Sequence, residues 1–529
     1  MSDDKERKGA FYTPQEWVEL SQMYLADVFG EDWQDEYYIW DCAAGTGNLL
    51  VGLTNKYNIY ASTIDKADVD VMHDRIQNGA NLLAAHCFQF DFLNDDFSKL
   101  PQSLQDIIND PKRRKKLIIY INPPYAETMS YWHKDKKGLH ISKINDKYSD
   151  EMKGCLNREL FAQFLIRIYF EIPDCKIGTF STLKTISSPN FKSFREHFQA
   201  KFLKGFICPS WTFDNVNGDF PIAFQCWDTE IQKPIKNCNF DIYWARIENP
   251  KNTGGIKHIK EIKKTGNKKV YNYDKYLSIN DWLISTRTAN ENLINIAFIA
   301  CLGNDFQTNK LVFIMNKKEI MQSPRGSYIT KANLIPASIY FSVRKVIKAT
   351  WLNDRDQFIY PNEKWKNDIE FHNDCLAYTL FNNNISIKHG VNHWIPFLEN
   401  EVNAKEKFES HFMKSFISGK IIPNAYVDLF DNESGKSCVK REFSPEATAV
   451  FDAGKELWKY YHAQPKINVN ASLYDIREHF QGRNEKTDRM NSKSKDEKYT
   501  LLLANLRSAL DILAQKIEPK VYEYGFLLE

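Results

Sequence analysis

Paired cysteines at metal-ligand spacing are missing from this chain. Its ten cysteines are scattered, with no CxxC among them, which argues against a zinc ribbon or a disulfide scaffold. Glycine (22) and proline (19) are sparse for 529 residues, so no collagen-like or low-complexity architecture is expected. Apolar runs of about 18 residues are also lacking. The start, MSDDKERKGA, is charged, so neither a signal peptide nor a membrane span is expected and a cytoplasmic, bacterial-type location follows. Nor does one sign of charge dominate: 70 Lys+Arg against 68 Asp+Glu leaves +2, which excludes a uniformly basic coat and makes any nucleic-acid face local. Aromatic side chains are what the chain has in quantity. Its 35 Phe, 26 Tyr and 12 Trp can fill cores or stack on bases, and 43% hydrophobic with 26% charged residues is an ordinary globular balance. The length predicts several domains of roughly 150 residues, or fewer large ones.

The first helix is expected after FYTP, with Thr13 as its cap, Pro14 in its first turn, and Trp17, Leu20, Met23 and Val28 on its buried face. From residue 37 short β-rich runs (YYIW, NIYASTI, CFQFDF, LIIYI, KIGTFSTL, KFLKGFI) alternate with stretches long enough for helices, a rhythm that predicts a parallel sheet. CPSWTF and FPIAFQCW flank the turn-rich DNVNGD and predict a closing antiparallel hairpin, so the α/β unit would end near residue 245. The lysine-rich stretch 250–276 reads as a solvated linker, with sequence-independent phosphate contacts as the alternative. Beyond it come an irregular α+β domain to about residue 440 and three helical patterns at 445–463, 472–480 and 497–516. The expected organisation is thus α/β for 1–245, a recognition domain for 246–440 and a helical region for 441–529.

Asp41-Cys42-Ala43-Ala44-Gly45-Thr46-Gly47 lies where the first strand should turn into a helix carrying Leu49, Leu50 and Leu53. Glycines there let a backbone approach a ligand closely. Alone, such a turn is weak evidence. Asp65, about twenty residues on, ends the next expected strand, where a carboxylate can hold two ribose hydroxyls. Asp91-Phe92 ends the third and can offer a carboxylate to an adenine amine and a ring to the base. Asn122-Pro123-Pro124-Tyr125 follows LIIYI: two prolines stiffen the loop and leave carbonyls without neighbouring N–H donors. The Asn122 oxygen and the Pro123 carbonyl can then accept both hydrogens of an exocyclic amine and draw its lone pair out of conjugation. Tyr125 offers a flat face on which a base could stack.

These segments resemble the S-adenosylmethionine-dependent DNA adenine-N6 methyltransferases whose recognition domain follows the catalytic one. The resemblance covers residues 8–230. It implies a Rossmann-like sheet with a terminal antiparallel hairpin, S-adenosylmethionine as cofactor, and double-stranded DNA as partner. By that resemblance Phe11, Tyr12 and Thr13 contact the methionine end of the cofactor, while Asp41, Ala43, Gly45 and Gly47 form its loop. Asp65 is then its ribose ligand, and Asp91, Phe92 and Phe164 line its adenine. Asn122, Pro123, Pro124 and Tyr125 are the catalytic motif, and Tyr125 with Phe213 stacks on the target base. Cys42 and Ala44 stand where the family usually has Pro and Cys, changes that preserve the backbone role.

The implied reaction methylates an adenine amine after the nucleotide has been rotated out of the duplex, at a cost of a few kcal/mol. No cysteine suits cytosine-C5 chemistry, since Cys208-Pro209 reverses the usual order, and no metal is expected. The same motif serves methyltransferases of ribosomal RNA or protein glutamine, and a non-catalytic recognition subunit of a restriction-modification system is a further alternative. A fused nuclease is not expected, since such domains usually precede FYTP and only ten residues do so here. A separate restriction endonuclease, the recognition sequence and the oligomeric state are not read from the chain. Lys112–Lys116 is expected to be a solvated helix terminus opposite the active edge, and the basic, aromatic stretch from Tyr131 to Lys147 a DNA-contacting loop.

Overall fold

The computed structural model describes residues 13–125, 142–150, 153, 159–214, 216, 218–248, 257–286, 294–316, 325–421 and 440–529. Two compact units result, Met1–Lys275 with Thr350–Asp356, and Tyr276–Ala349 with Gln357–Glu529.

The first unit opens with α1 (Gln15–Phe29). Trp17, Val18, Leu20, Tyr24 and Leu25 are its buried apolar face, whereas Met23 is 64% exposed, off the stripe expected for it. Pro14 rather than Thr13 occupies the cap position, and no side chain caps the helix. Strands β1 (Tyr38–Asp41), β2 (Ile59–Thr63), β3 (Cys87–Gln89), β4 (Leu117–Ile121) and β5 (Lys176–Thr182) run parallel in the order β3-β2-β1-β4-β5. Connecting helices include α2 (Lys66–Gln77), α3 (Gln102–Asn109) and α4 (Leu160–Glu171).

Both faces of the sheet are covered. Leu117, Ile119 and Ile121 of β4 join a core with α3 and α4, while Ile118 and Tyr120 join another with α1 and α2. Burial on both sides is why LIIYI reads as an unbroken apolar run. Each parallel strand therefore ends at the same sheet edge.

β6 (Ala200–Pro209) and β7 (Pro221–Gln232) form the expected hairpin, with β7 antiparallel between β5 and β6. KFLKGFICP is one continuous strand, and the residues after it make a short 3-10 turn, Ser210–Thr212, instead of the strand expected from CPSWTF. Since β6 and β5 are both antiparallel to β7, the hairpin loop also emerges at the edge where the parallel strands end.

The sheet then continues past the expected boundary near 245. β8 (Cys238–Ile247) pairs parallel with β6, and β9 (Ile259–Val270) pairs antiparallel with β8, completing nine strands. The lysine-rich stretch is thus largely an edge strand, not a linker. Lys264 pairs with Asp241 at 2.9 Å and Lys268 with Asp356 at 2.7 Å. A lysine-bearing edge discourages strand addition by another chain, which accounts for the composition.

The second unit carries an antiparallel sheet, β11-β10-β12, from β10 (Ala297–Ala300), β11 (Phe313–Met315) and β12 (Gly326–Ile329). The helices α5 (Leu334–Val346) and α6 (Ile369–Leu380) escape sequence periodicity because they are buried on nearly every side. They share one core with α7 (Pro445–His462), α8 (Leu473–Gln481) and α9 (Glu497–Glu523). The carboxyl-terminal helices, expected as a separate region from 441, therefore pack within the same unit as the preceding α+β segment. No helix among the described residues is long and apolar enough to cross a membrane.

Candidate active site at the carboxyl edge of the sheet

Asp41 closes β1 and is fully buried. Its carboxylate accepts the Ala43 N–H at 3.0 Å. Burial pushes its pKa up to about 7 despite that hydrogen bond. The following loop is held by the Ala44 N–H donating to the Ser62 carbonyl at 2.9 Å and by Arg75 donating to the Thr46 carbonyl at 2.8 Å. Gly45 (φ 53°) and Gly47 (φ 84°) both take left-handed backbone that side chains strain to adopt. A Cβ on Gly47 would sit 3.4 Å from Met72, whereas one on Gly45 would meet nothing within 4 Å. Both positions thus call for glycine by their backbone, and Gly45 leaves that backbone open to a ligand. The helix expected here is only a 3-10 turn, Asn48–Leu50, because Gly52 reverses the chain at φ 89°.

Asp65 follows β2 as the half-buried residue preceding α2, and its side chain makes no capping bond to that helix. Asp91, beyond β3, is committed to its own turn: its carboxylate accepts the Leu93 N–H at 3.0 Å and the Asn94 amide at 2.8 Å. Phe92 stacks on Phe164 with centroids 5.0 Å apart and planes 18° apart. Arg167, one position short of a helical turn beyond Phe164, lies 5.1 Å above the Phe92 ring and donates to the Asp95 carbonyl at 2.8 Å. The two phenyl rings are therefore brought together, in a packed layer that exposes little of either.

Asn122 follows β4, partly buried, with Pro123 and Pro124 fixing the turn. Its amide nitrogen donates to the Thr13 hydroxyl at 2.8 Å, and its oxygen accepts from the Tyr125 hydroxyl at 2.8 Å. Burial pushes the Tyr125 phenol well above its ordinary pKa, so it remains a neutral donor. Its ring packs 6.4 Å from Phe161. Phe213, expected to face a base, is instead fully buried edge-on to Phe180 at 6.3 Å, because the turn after β6 folds it under the hairpin loop. Lys257 donates to its carbonyl at 2.8 Å, and the Trp17 indole donates to Thr212 at 2.9 Å.

The edge thus unites Asp41, Ala43, Gly45, Gly47, Asp65, Asp91, Asn122, Pro123, Pro124 and Tyr125, with Thr13 beside them. Phe11 and Tyr12 lie outside the described residues, as do 131–141 of the basic, aromatic stretch. Lys115 and Lys116 precede β4 at the opposite edge, paired with Glu230 and Glu36 at 2.7 and 2.8 Å, consistent with the solvated reading of that cluster. Sequence reasoning missed Arg75, Trp17 and Lys257 as supports of the edge. A single sequence carries no signal for such pairings, whereas Arg167 follows Phe164 at i+3 and was findable once that helix was placed.

No curated protein matches the chain. Among solved structures it is similar to a DrdV–DNA complex, at 17% identity over 46% of this chain and 28% of that one, with a TM-score of 0.34. It is also similar to the ATP-dependent Type ISP restriction-modification enzyme LlaBIII bound to DNA, at 13% identity over 56% and 24% of the two chains, TM-score 0.32. A third is the type IIG restriction endonuclease BpuSI, at 18% identity over 46% and 28%, TM-score 0.29. The chain spans about a quarter of the length of each. Residues 1–166, which carry every strand end from Asp41 to Tyr125, match the family model described as N-6 DNA Methylase.

Proposed function

We propose that the first unit methylates the exocyclic N6 amine of adenine in a specific duplex DNA sequence, using S-adenosylmethionine. One observation carries the reading: Asn122 sits at the carboxyl end of β4 on a diproline turn, at the same edge as the open face of Gly45 and the Asp65 carboxylate. The match of residues 1–166 to the N-6 DNA Methylase model supports it.

The residues fit a sulfonium nucleoside. Gly45 offers accessible backbone, Asp65 a partly exposed carboxylate at a strand end, and Phe92 with Phe164 the edges of an aromatic layer. Bound there, the cofactor would supply an electrophilic methyl carbon. The chain's own part is to hold the amine. The Asn122 oxygen and the Pro123 carbonyl accept its two hydrogens, which localises the nitrogen lone pair and makes it nucleophilic. Positioning of this kind supplies much of the rate in reactions that need no covalent enzyme intermediate.

The base must first leave the duplex, at a cost of a few kcal/mol. Stacking on Tyr125 would return about 1–3 kcal/mol. That contact requires the Tyr125 ring to turn from its packing near Phe161, and a second contact with Phe213 requires that ring to leave its packing on Phe180. Recognition of sequence is assigned to the second unit, with a separate restriction endonuclease as the counterpart acting on unmethylated sites.

The test is transfer of labelled methyl from S-adenosylmethionine to DNA, RNA and protein in parallel. The DNA lane is expected to be labelled, with N6-methyladenine on digestion; a labelled RNA or protein lane beside inert DNA would overturn the reading. Asn122→Ala should lower the rate by roughly 10²–10³-fold, the scale for losing one preorganised polar contact, while cofactor affinity changes little.

A further inference from the structure

We propose that Thr13 is a positioning residue for the Asn122 amide, a role distinct from the cofactor contact that the resemblance implies for it. The inference rests on the reading of Asn122 given above.

Thr13 stands one residue before Pro14, the cap of α1, so its hydroxyl is not required for a bond from the first turn of the helix. Its side chain, 6% exposed, accepts the Asn122 amide N–H at 2.8 Å. The register between the helix and the strand is held a second time: Ser21 donates to the Val18 carbonyl at 2.8 Å, which leaves its oxygen to accept the hydroxyl of Tyr120, two residues before Asn122. α1 is therefore bonded to β4 through Ser21 and Tyr120, and the residues just outside the two elements are bonded through Thr13 and Asn122, the group assigned to the chemistry.

The consequence follows from the shape of an amide. Its NH2 and oxygen ends have nearly the same size, so packing alone chooses poorly between them, and hydrogen bonds decide. An adenine amine donates both of its hydrogens and needs an acceptor. With Thr13 accepting from the nitrogen, the Asn122 oxygen lies at the other end, where Tyr125 donates to it. When Tyr125 turns to stack on a base, the Thr13 bond still holds the amide nitrogen. Valine at position 13 keeps the shape and removes the acceptor. The amide could then rotate and present a donor to a donor.

The experiment compares full-length wild type, Thr13→Val, Thr13→Ser and Asn122→Ala by single-turnover methylation of DNA at saturating cofactor, with cofactor affinity measured separately by titration calorimetry. Thr13→Val is expected to slow the saturated single-turnover rate about tenfold, the effect of losing one hydrogen bond. Cofactor affinity should stay within about twofold, and Thr13→Ser should recover most of the rate. In the Asn122→Ala background Thr13→Val should have no further effect on the residual rate.

A Thr13→Val enzyme with weakened cofactor binding and an unchanged saturated rate would overturn the inference and leave Thr13 as a cofactor contact. So would a Thr13→Ser enzyme as slow as Thr13→Val with the same melting temperature. If Thr13→Val melts well below wild type, Thr13→Ala makes the same comparison. Full activity of Asn122→Ala would instead sink the underlying reading of Asn122, an outcome separable from both.

Discussion

Asp41 in the first unit and two buried ions of the second, Arg344 and Asp475, are held differently. In the first, Asp41 is buried with a single N–H donor on its carboxylate, and its neighbours Asp65 and Asn122 gather at one sheet edge. In the second, the fully buried Arg344 donates to the carbonyls of Gly303 and Asp305, both at 3.1 Å, and to Tyr340 at 3.2 Å and Thr308 at 3.3 Å. Asp475 similarly accepts from Ser386 at 2.7 Å, the Ile387 N–H at 3.1 Å and Ser472 at 2.8 Å. A buried ion enclosed by partners is scaffolding, whereas a buried carboxylate with one donor at an open edge costs stability.

The largest effect should come from breaking the scaffold. Arg344→Met keeps the volume but strands the Gly303 and Asp305 carbonyls, and is expected to cost about 3 kcal/mol of stability. Chemical denaturation would measure it, with cofactor affinity in the first unit held within twofold; a loss of that affinity would break the separation drawn between the units.

Asp41→Asn probes the opposite case. Because the folded pKa, about 7, stands above the ordinary carboxylate value of 3.8, the native state holds the proton more tightly than the unfolded chain. The associated stability is fully present below about pH 4 and is lost as pH rises through 7. Asparagine keeps an acceptor for the Ala43 N–H without the charge, so the variant should be more stable than wild type by about 2 kcal/mol at pH 8, with the gain vanishing toward pH 4. Melting curves across that range give the test; a variant less stable at pH 8 would contradict the assignment of Asp41 as a strained edge group.

The smallest effect is expected at β9. Replacing the exposed Lys263 and Lys269 by Ile should change stability by less than about 0.5 kcal/mol, as for most surface substitutions. Light scattering should nevertheless reveal concentration-dependent association through the unguarded edge. Unchanged scattering would mean that the lysines serve something other than edge protection.

Much of the first unit was legible because its signals are local. Short apolar runs marked the parallel strands, and the polar residues after them, Asp41, Asp65, Asp91 and Asn122, were already placed at strand ends. What failed had non-local causes. α5 and α6 were missed because burial on every side erases the helical stripe. The lysine run was read as a linker because a charged edge strand looks like one until its neighbour, β8, is known. Phe213 was expected to stack on a base because the family resemblance implied it, yet the turn after β6 buries it.

By itself the sequence determined the stiff diproline turn, the left-handed glycine loop and the order in which the strand ends appear, since backbone restriction and apolar patterning act over a few residues. Tertiary structure alone decided which partners those groups meet: that the Thr13 hydroxyl accepts the Asn122 amide, and that Asp41 is buried deeply enough to hold a proton near neutral pH. Hydrogen bonds across 109 residues and the desolvation of a carboxylate depend on what surrounds a group in space, which no stretch of chain specifies alone.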